Sequence, residues 1–403
     1  MKKLISAVFA AAVCTGFFSC GGNTEGPKNT TSKKDSDTVK KEIPKPDDTL
    51  PKKITGTYDR KFNDVGRYLA GMKPEAGCRL DSSYLNNKTW KNYAENAERK
   101  WSEYDTVRIQ KLRNWSKTEL AGVDRVHHTL FYPFSGPDVL HANSFFPNAD
   151  TTVMIGLEPV GSVPFTGKNT QDTLTAYFQE VNSSLYAVLN WSFFRTLSMK
   201  KDLRTEVNGT TPIMMIFLER TGNRVLDVKQ IHIDSTGRIA YNEKGHSGFK
   251  MPGVEITYCK SDSTGEAHVF YFSCDLSNEG SQKTNPAFFK FLKSLGHVNT
   301  YLKSASYLMY KPNFSDIRDL VLTQSDHVLQ DDSGIPNRFF AATTWSHQLY
   351  GRYTGVIPLF KGDEQHDLDS LFKHEPTRKD LGFGIGYKWQ KGTSNLVLYT
   401  KKG

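Results

Sequence analysis

Long apolar runs are rare in this chain. Past the first 20 residues, no stretch reaches the roughly 18 apolar residues of a membrane-spanning helix. The 403 residues lack Cys-x-x-Cys and His-Glu-x-x-His spacings, and the net charge of +9 comes without a run of five Lys or Arg. These absences argue against a familiar zinc site and against nucleic-acid binding, and we expect no metal or other cofactor. Aromatic residues, by contrast, are plentiful, and the 25 Phe, 18 Tyr and 6 Trp predict a folded protein.

The first twenty residues have the pattern of an export signal. A basic start and a mostly apolar stretch, residues 2–18, precede the small residue Ser19, and Cys20 follows directly. The segment 17–20 resembles the lipobox of bacterial lipoproteins, in which the cysteine is acylated. The alternative is an ordinary secretory signal in which Cys20 is incidental. We therefore expect residues 1–19 to be a lipoprotein signal peptide and Cys20 to carry acyl chains such as palmitate, which anchor the protein to a membrane.

A polar segment separates this signal from the rest of the chain. Residues 20–55 contain very few large apolar side chains, so they cannot bury enough surface to offset their chain entropy, and we expect a disordered tether. Residues 56–403 form the predicted globular body. The sequence leaves open whether this body is divided into two subdomains near 205–225. The body contains three cysteines, Cys78, Cys259 and Cys274, which allow one internal disulfide at most. The sequence does not show which two would pair.

The spacing of apolar residues predicts a mixed body. Apolar side chains recur every three or four residues in the segments 87–115, 174–188 and 285–296, which predicts amphipathic helices. Apolar and polar residues alternate in 231–241 and 254–272, and Asp-Ser-Thr-Gly turns interrupt both segments, which predicts two hairpins. Helices around consecutive hairpins, without regular β-α-β alternation, favour an α+β fold in which amphipathic helices flank an antiparallel sheet, a meander of hairpins.

The segment 127–138 is the most distinctive part of the body, and it ends in the sequence FYPFSGPD. An apolar run stops there at Pro, Ser, Gly and Pro, which predicts a strand, a sharp loop and then a short helix near 138–143. The loop would present Tyr132, Ser135 and Asp138 close to a helix N-terminus, where free amide groups suit an anion or a polar ligand. The alternative is that Pro and Gly only shape the chain while the aromatic side chains pack inward.

Two other segments place carboxylates at the ends of predicted elements. Glu158, in the sequence GLEPVG, follows an apolar run and could act as an acid or base if it is buried, although an exposed loop carboxylate is the simpler interpretation. Asp331 and Asp332, in the sequence LQDDSGIP, are adjacent in a predicted turn. Neighbouring acids repel, so one could have a raised pKa or both could share a cation, yet the same residues are also common in turns.

The phrases FYPFSGPD, GLEPVG and LQDDSGIP, in this order, resemble a family of uncharacterised lipoproteins of Bacteroidetes bacteria. The resemblance covers roughly residues 60–400, and it implies an outer-membrane lipoprotein without implying an activity. Residues 21–25 lack the dense acidic cluster associated with surface export in that group. A protein that faces the periplasm is therefore preferred over one on the cell surface.

Two functional hypotheses follow. The first is a binding or interaction protein, anchored to the membrane by its lipid, whose aromatic faces and carboxylates suit a polar or glycan-like ligand. The second is a carboxylate-dependent hydrolase of envelope or dietary material, with His128 as a proton carrier, which needs two carboxyl groups close together in one cleft. Six residues are the candidate ligand-binding set: Tyr132, Ser135, Asp138, Glu158, Asp331 and Asp332.

Overall fold

Ten strands form one sheet in the computed structural model, which describes residues 58–164, 175–183, 185, 208–241, 251–260, 265–280 and 286–403. The strands are β1 (Thr129–Tyr132), β2 (Thr151–Gly156), β3 (Arg224–Ile233), β4 (Ile239–Tyr241), β5 (Pro252–Cys259), β6 (Glu266–Ser273), β7 (Val298–Leu302), β8 (Ser325–Gln330), β9 (Trp345–Gly351) and β10 (Asn395–Lys401). Across the sheet they lie in the order β4-β3-β5-β6-β2-β1-β7-β8-β10-β9.

The middle of the sheet is parallel. Strands β6, β2, β1, β7 and β8 run in the same direction, whereas the neighbours on both flanks pair antiparallel. The predicted hairpins are present as β3–β4 and β5–β6. The prediction of an antiparallel sheet throughout is wrong, because β1 and β2, and also β7 and β8, are joined by helical crossovers. Strands of this kind are buried on both faces and show no clear alternation in sequence.

Helices cover both faces of the sheet. Residues of a strand point alternately to the two sides, so Leu130 and Tyr132 enter one core while Phe131 enters the other. The first core packs against α1 (Lys61–Leu69), α3 (Lys88–Tyr104), α4 (Gln110–Glu119), α5 (Val139–Phe145) and α6 (Thr211–Arg220), with α2 (Ser82–Asn86) at its border. The second core packs against α7 (Pro286–Ser294), α8 (Ser315–Gln324) and α9 (His366–His374). The architecture is a three-layer α/β/α sandwich, and the mixed α and β content agrees with the sequence prediction.

The predicted helices have clear physical starts and stops. The Asn87 side chain accepts hydrogen bonds from the amides of Thr89 and Trp90 and so caps α3, which continues through a π-helical turn at Asp105–Ile109 into α4. The third predicted helix corresponds to α7. The second predicted helix, 174–188, is helical at the positions described within it, 175–183 and 185.

Two connections leave the centre of the sheet in opposite directions. After β1 the chain forms α5 on one face and returns as β2, whereas after β7 it forms α8 on the other face and returns as β8. Because β1 and β7 are neighbours, their carboxyl ends lie at a topological switch point. In open α/β sheets, ligands bind in the crevice at such a point.

Several predictions concern residues at the margins of this description. The signal, Cys20 and the tether, residues 1–55, lie outside the described residues, as does most of the second hairpin turn, 262–264.

The described residues belong to one unit. Strand β2 precedes the segment 205–225 and β6 follows it, and the two strands pair within the same sheet. In the described part of the chain, Cys78, Cys259 and Cys274 form no disulfide bond. Among the described helices, none is long and apolar enough to cross a membrane.

Candidate functional site

The loops that follow the parallel strands meet along one border of the sheet. We call this border the carboxyl edge and define it as the loops after β1 (133–138), β2 (157–161), β7 (303–307) and β8 (331–334). Tyr132 is the last residue of β1, next to this border. The structure thus brings all six sequence-predicted residues to one edge of the sheet, five of them on three different loops and Tyr132 at the end of β1.

Asp138 is the centre of a buried ionic network. It caps α5 by accepting a hydrogen bond from the His141 amide, and its carboxylate lies 2.9 Å from the Tyr132 hydroxyl, 2.8 Å from His141 Nδ1 and 2.6 Å from Lys303 Nζ. The side chains of Asp138 and Lys303 are 1% and 2% exposed. Burial alone would raise the pKa of Asp138, but His141 and Lys303 outweigh burial and lower the pKa to about 2. Asp138 is therefore an anion at neutral pH.

His141 and Lys303 complete this network. Burial lowers the pKa of both side chains, and the charge of Asp138 opposes that effect only in part. His141 is accordingly neutral near pH 7, with Nε2 lying 3.4 Å from the Tyr104 hydroxyl. The sequence reasoning missed Lys303, which directly follows the apolar strand β7. A single charged residue at the end of a buried strand is the signal that could have identified it.

Ser135 fixes the loop after β1 to the neighbouring strand. Its amide donates to the Ile155 carbonyl, and its hydroxyl lies 3.1 Å from the Ile155 amide and 2.8 Å from the Gly136 carbonyl. The hydroxyl of Tyr132 is likewise bonded to Asp138. These three predicted ligand-binding side chains are therefore engaged with other parts of the protein, and their binding role stays a prediction.

Glu158 is buried but poorly partnered. The residue is 1% exposed, and the Tyr271 hydroxyl donates to its backbone carbonyl at 3.0 Å and lies 3.4 Å from Oε2. Its other oxygen, Oε1, has no hydrogen-bond partner in the described part of the chain. A Cβ atom at Gly156 would lie only 2.5 Å from Oε2. The close approach of the carboxylate therefore requires glycine at that position.

Asp331 and Asp332 point to different partners. Asp331 accepts hydrogen bonds from the Ser304 and Ser333 amides at 2.9 and 3.0 Å, whereas Asp332 accepts from the Tyr307 hydroxyl at 2.6 Å and from Asn395 at 2.9 Å. Burial, together with the charge of Asp332, raises the pKa of Asp331 to about 6. The described residues contain no cluster of three or more metal-ligating side chains.

Unusual backbone conformations concentrate at the carboxyl edge. The described residues include five non-glycine residues with positive φ, and four of them lie on this edge: Phe134, Ser304, Ser306 and Tyr307. Such conformations cost energy and cluster at ligand sites and active sites. Ser304 has a φ of 53°, and the Tyr387 hydroxyl donates to its carbonyl at 2.9 Å. The hydroxyl of Ser304 is buried without a hydrogen-bond partner in the described part of the chain.

An aromatic cluster borders the strained loop. Tyr307, Tyr310, Phe360 and Tyr387 pack together, and ring centroids in this cluster are between 4.8 and 6.4 Å apart. Phe360 and Tyr387 are partly exposed. The aromatic cluster therefore presents ring surface to solvent beside Ser304. The sequence reasoning did not identify these four residues.

Strand spacing limits which groups can act together. Neighbouring strands are about 4.8 Å apart, so Glu158 after β2 and Ser304 after β7 flank the loop after β1 at roughly 10 Å from each other. Glu158 and Asp331 follow strands that are three positions apart, so the ends of these two strands are separated by roughly 14 Å. His128 lies at the opposite end of β1, where it pairs with Asp150 at 3.1 Å. The proton carrier suggested for the hydrolase hypothesis is therefore at the wrong edge of the sheet.

No family model, curated protein or solved structure matches this chain. The geometry of the carboxyl edge is therefore the basis for assigning a function.

Proposed function

We propose that the protein is a lipid-anchored protein of the bacterial envelope that binds a polar, glycan-like ligand at its carboxyl edge. The observation that carries this proposal is a pair of buried polar groups that have no hydrogen-bond partner among the described residues, Glu158 Oε1 and Ser304 Oγ, on the two sides of the loop after β1. Leaving a buried polar group without a partner costs about 1–3 kcal/mol. A ligand that donates hydrogen bonds to both groups would remove this cost.

The surroundings of Ser304 support a hydroxyl-rich ligand with ring-shaped apolar faces. The aromatic cluster offers the partly exposed rings of Phe360 and Tyr387, and flat apolar faces of sugar rings stack on such surfaces. Two large apolar side chains are exposed nearby: Leu157 on the loop after β2, and Leu359 next to Phe360 of the aromatic cluster. Apolar walls with a small number of well-placed polar groups are typical of small-molecule sites.

Binding is better supported than hydrolysis. Asp138 has a pKa of about 2, so it cannot serve as a general acid near neutral pH. Asp331 has a pKa nearer to neutrality, but both of its oxygens already accept hydrogen bonds from Ser304 and Ser333. In the described part of the chain, no histidine is hydrogen-bonded to the Ser304 hydroxyl to activate it as a nucleophile.

The anchor is the second part of the proposal. Cys20 carries the lipid, residues 20–55 act as the tether, and the body faces the periplasm from the outer membrane. Mass spectrometry of the protein from its native membrane should find acyl chains on an N-terminal Cys20. The variant Cys20→Ser should move the protein to the soluble fraction. An unmodified cysteine or a different N-terminus would remove the anchor from the proposal.

The proposed ligand class is tested by measuring the binding of neutral, acidic and amino sugars to the full-length protein. We expect at least one sugar to bind, and Ser304→Ala should weaken its binding about tenfold because a hydrogen bond to the ligand is lost. The control variant is Ser346→Ala, since Ser346 is an exposed residue of β9. If no sugar of the panel binds, or if both variants behave alike, the glycan site at Ser304 is refuted.

A further inference from the structure

Glu158 differs from the other buried carboxylates of the carboxyl edge. Asp138 has a lysine and a histidine within 3 Å, Asp331 accepts from two backbone amides, and Asp332 accepts from a tyrosine and an asparagine. By contrast, among the described residues the Tyr271 hydroxyl is the only side-chain donor hydrogen-bonded to the carboxylate of Glu158. It lies 3.4 Å from Oε2 and is closer to the backbone carbonyl. Within the described part of the chain, Glu158 forms no ion pair with a lysine, arginine or histidine.

One glycine, Gly136, leaves a face of this carboxylate uncovered. A Cβ atom at Gly136 would lie 3.6 to 3.7 Å from Cδ and both oxygens of Glu158, so it would cover one face of the carboxylate. Gly136 has a φ of 54°, and the glycine therefore both permits the turn and leaves that face uncovered. Gly156, the last residue of β2, is in close contact with Oε2. Glu158 Oε1 is thus a buried acceptor beside a glycine, Gly136, that places no side chain over the carboxylate.

We infer that Glu158 is the subsite for a positively charged amine of the ligand. The inference rests on the proposed function, because it specifies which polar ligand the carboxyl edge binds. A neutral hydroxyl would satisfy the hydrogen bond of Oε1 but would leave the buried charge without a counter-charge. A protonated amine supplies both, and hydrogen bonds between charged groups are about twice as strong as neutral ones. In a glycan that contains an amino sugar, that sugar supplies the amine, and a neighbouring ring packs on the aromatic cluster beside Ser304, roughly 10 Å away.

The test measures how tightly four small molecules bind to the full-length protein in calorimetric titrations at pH 7. The four are glucosamine, N-acetylglucosamine, glucose and ethanolamine. Glucosamine and N-acetylglucosamine share a ring, but only the first has a charged amine. We expect glucosamine to bind at least about tenfold more tightly than the other two sugars. The preference should disappear in Glu158→Gln and also at a pH that deprotonates the amine. Glu219→Gln is the matched control, because Glu219 is equally buried but lies on α6.

The possible outcomes separate the inference from the proposed function. If glucosamine and N-acetylglucosamine bind alike and Glu158→Gln changes neither, the amine subsite is wrong while a glycan site still stands. If ethanolamine binds as tightly as glucosamine and the neutral sugars do not bind, the amine subsite is supported but the glycan proposal fails. If none of the four binds, the inference is overturned. Circular dichroism and the melting temperature of Glu158→Gln show that the loss is not a loss of folding.

Discussion

Replacing Lys303 by methionine tests whether the buried network is held together by charge. The substitution keeps a long side chain but removes the cation that lies 2.6 Å from Asp138. Asp138 would retain the Tyr132 hydroxyl and the neutral His141, neither of which balances its charge. Removing one partner of a buried ion pair typically costs about 3–5 kcal/mol. We expect Lys303→Met to lower the free energy of unfolding by about that amount.

Equilibrium unfolding in urea, followed by tryptophan fluorescence, measures this loss. The matched control is Lys379→Met, because Lys379 also pairs with a carboxylate, that of Glu119 at 2.7 Å, but its side chain is 51% exposed. An exposed pair of this kind contributes about 0–1 kcal/mol. The double variant Lys303→Met with Asp138→Asn should recover a large part of the stability, since it removes both buried charges.

Acid unfolding gives an independent check of the same network. The pKa of Asp138 in the folded protein, about 2, is below its ordinary value of 3.8. Asp138 therefore contributes stability above about pH 4, and this contribution is lost as the pH falls from 4 to 2. Lys303→Met should reduce the loss in that range. The reasoning is refuted if Lys303→Met costs no more than Lys379→Met, or if the double variant is less stable than either single variant.

Three further substitutions test other parts of the structure. Burial raises the pKa of Glu219 to about 8, so its contribution to stability is fully present below about pH 4.5 and is lost as the pH rises through 8. The wild-type protein should therefore lose on the order of 3 kcal/mol of unfolding free energy between pH 5 and pH 9. Glu219→Gln should not show this loss when urea unfolding is measured at the two pH values. Gly156→Ala should cost about 1–3 kcal/mol because its Cβ would collide with Glu158, whereas Gly122→Ala meets no atom within 4 Å and should be neutral. Ser304→Gly should raise the free energy of unfolding by about 0.5–1 kcal/mol, because glycine adopts the positive φ of this position without strain. The same variant should bind the sugar more weakly. Equal stability of the two proteins in thermal melts would contradict the assignment of strain.

Local signals in the sequence predicted local structure well. The short helix expected near 138–143 corresponds to α5, with Asp138 as its cap, and the helix expected at 285–296 corresponds to α7. Both predictions depend on capping and periodicity within a few residues. The parallel centre of the sheet was missed because strand order depends on contacts between distant segments. Strands as short and as uniformly buried as β1 carry little periodic signal.

The candidate site shows the same limit. Sequence motifs identified loops rich in Pro, Gly and acidic residues, but they did not reveal which carboxylates acquire internal partners. Lys303, which neutralises Asp138, is 165 positions away in the chain and belongs to no motif. A motif such as FYPFSGPD therefore predicts a sharp turn, and only the folded structure shows that the Tyr132 hydroxyl donates a hydrogen bond to Asp138. Alanine variants of these two residues would test folding rather than binding.

The contrast between Ser304 and Asp138 is the physical basis for placing a ligand at the carboxyl edge. Asp138 is costly to bury, but Lys303 and His141 offset that cost within the protein. Ser304 adopts a conformation that glycine adopts more easily, and its buried hydroxyl forms no hydrogen bond in the described part of the chain. Stability alone would favour glycine there. A serine that is strained and unpartnered gains from its hydroxyl only when something outside the protein binds to it.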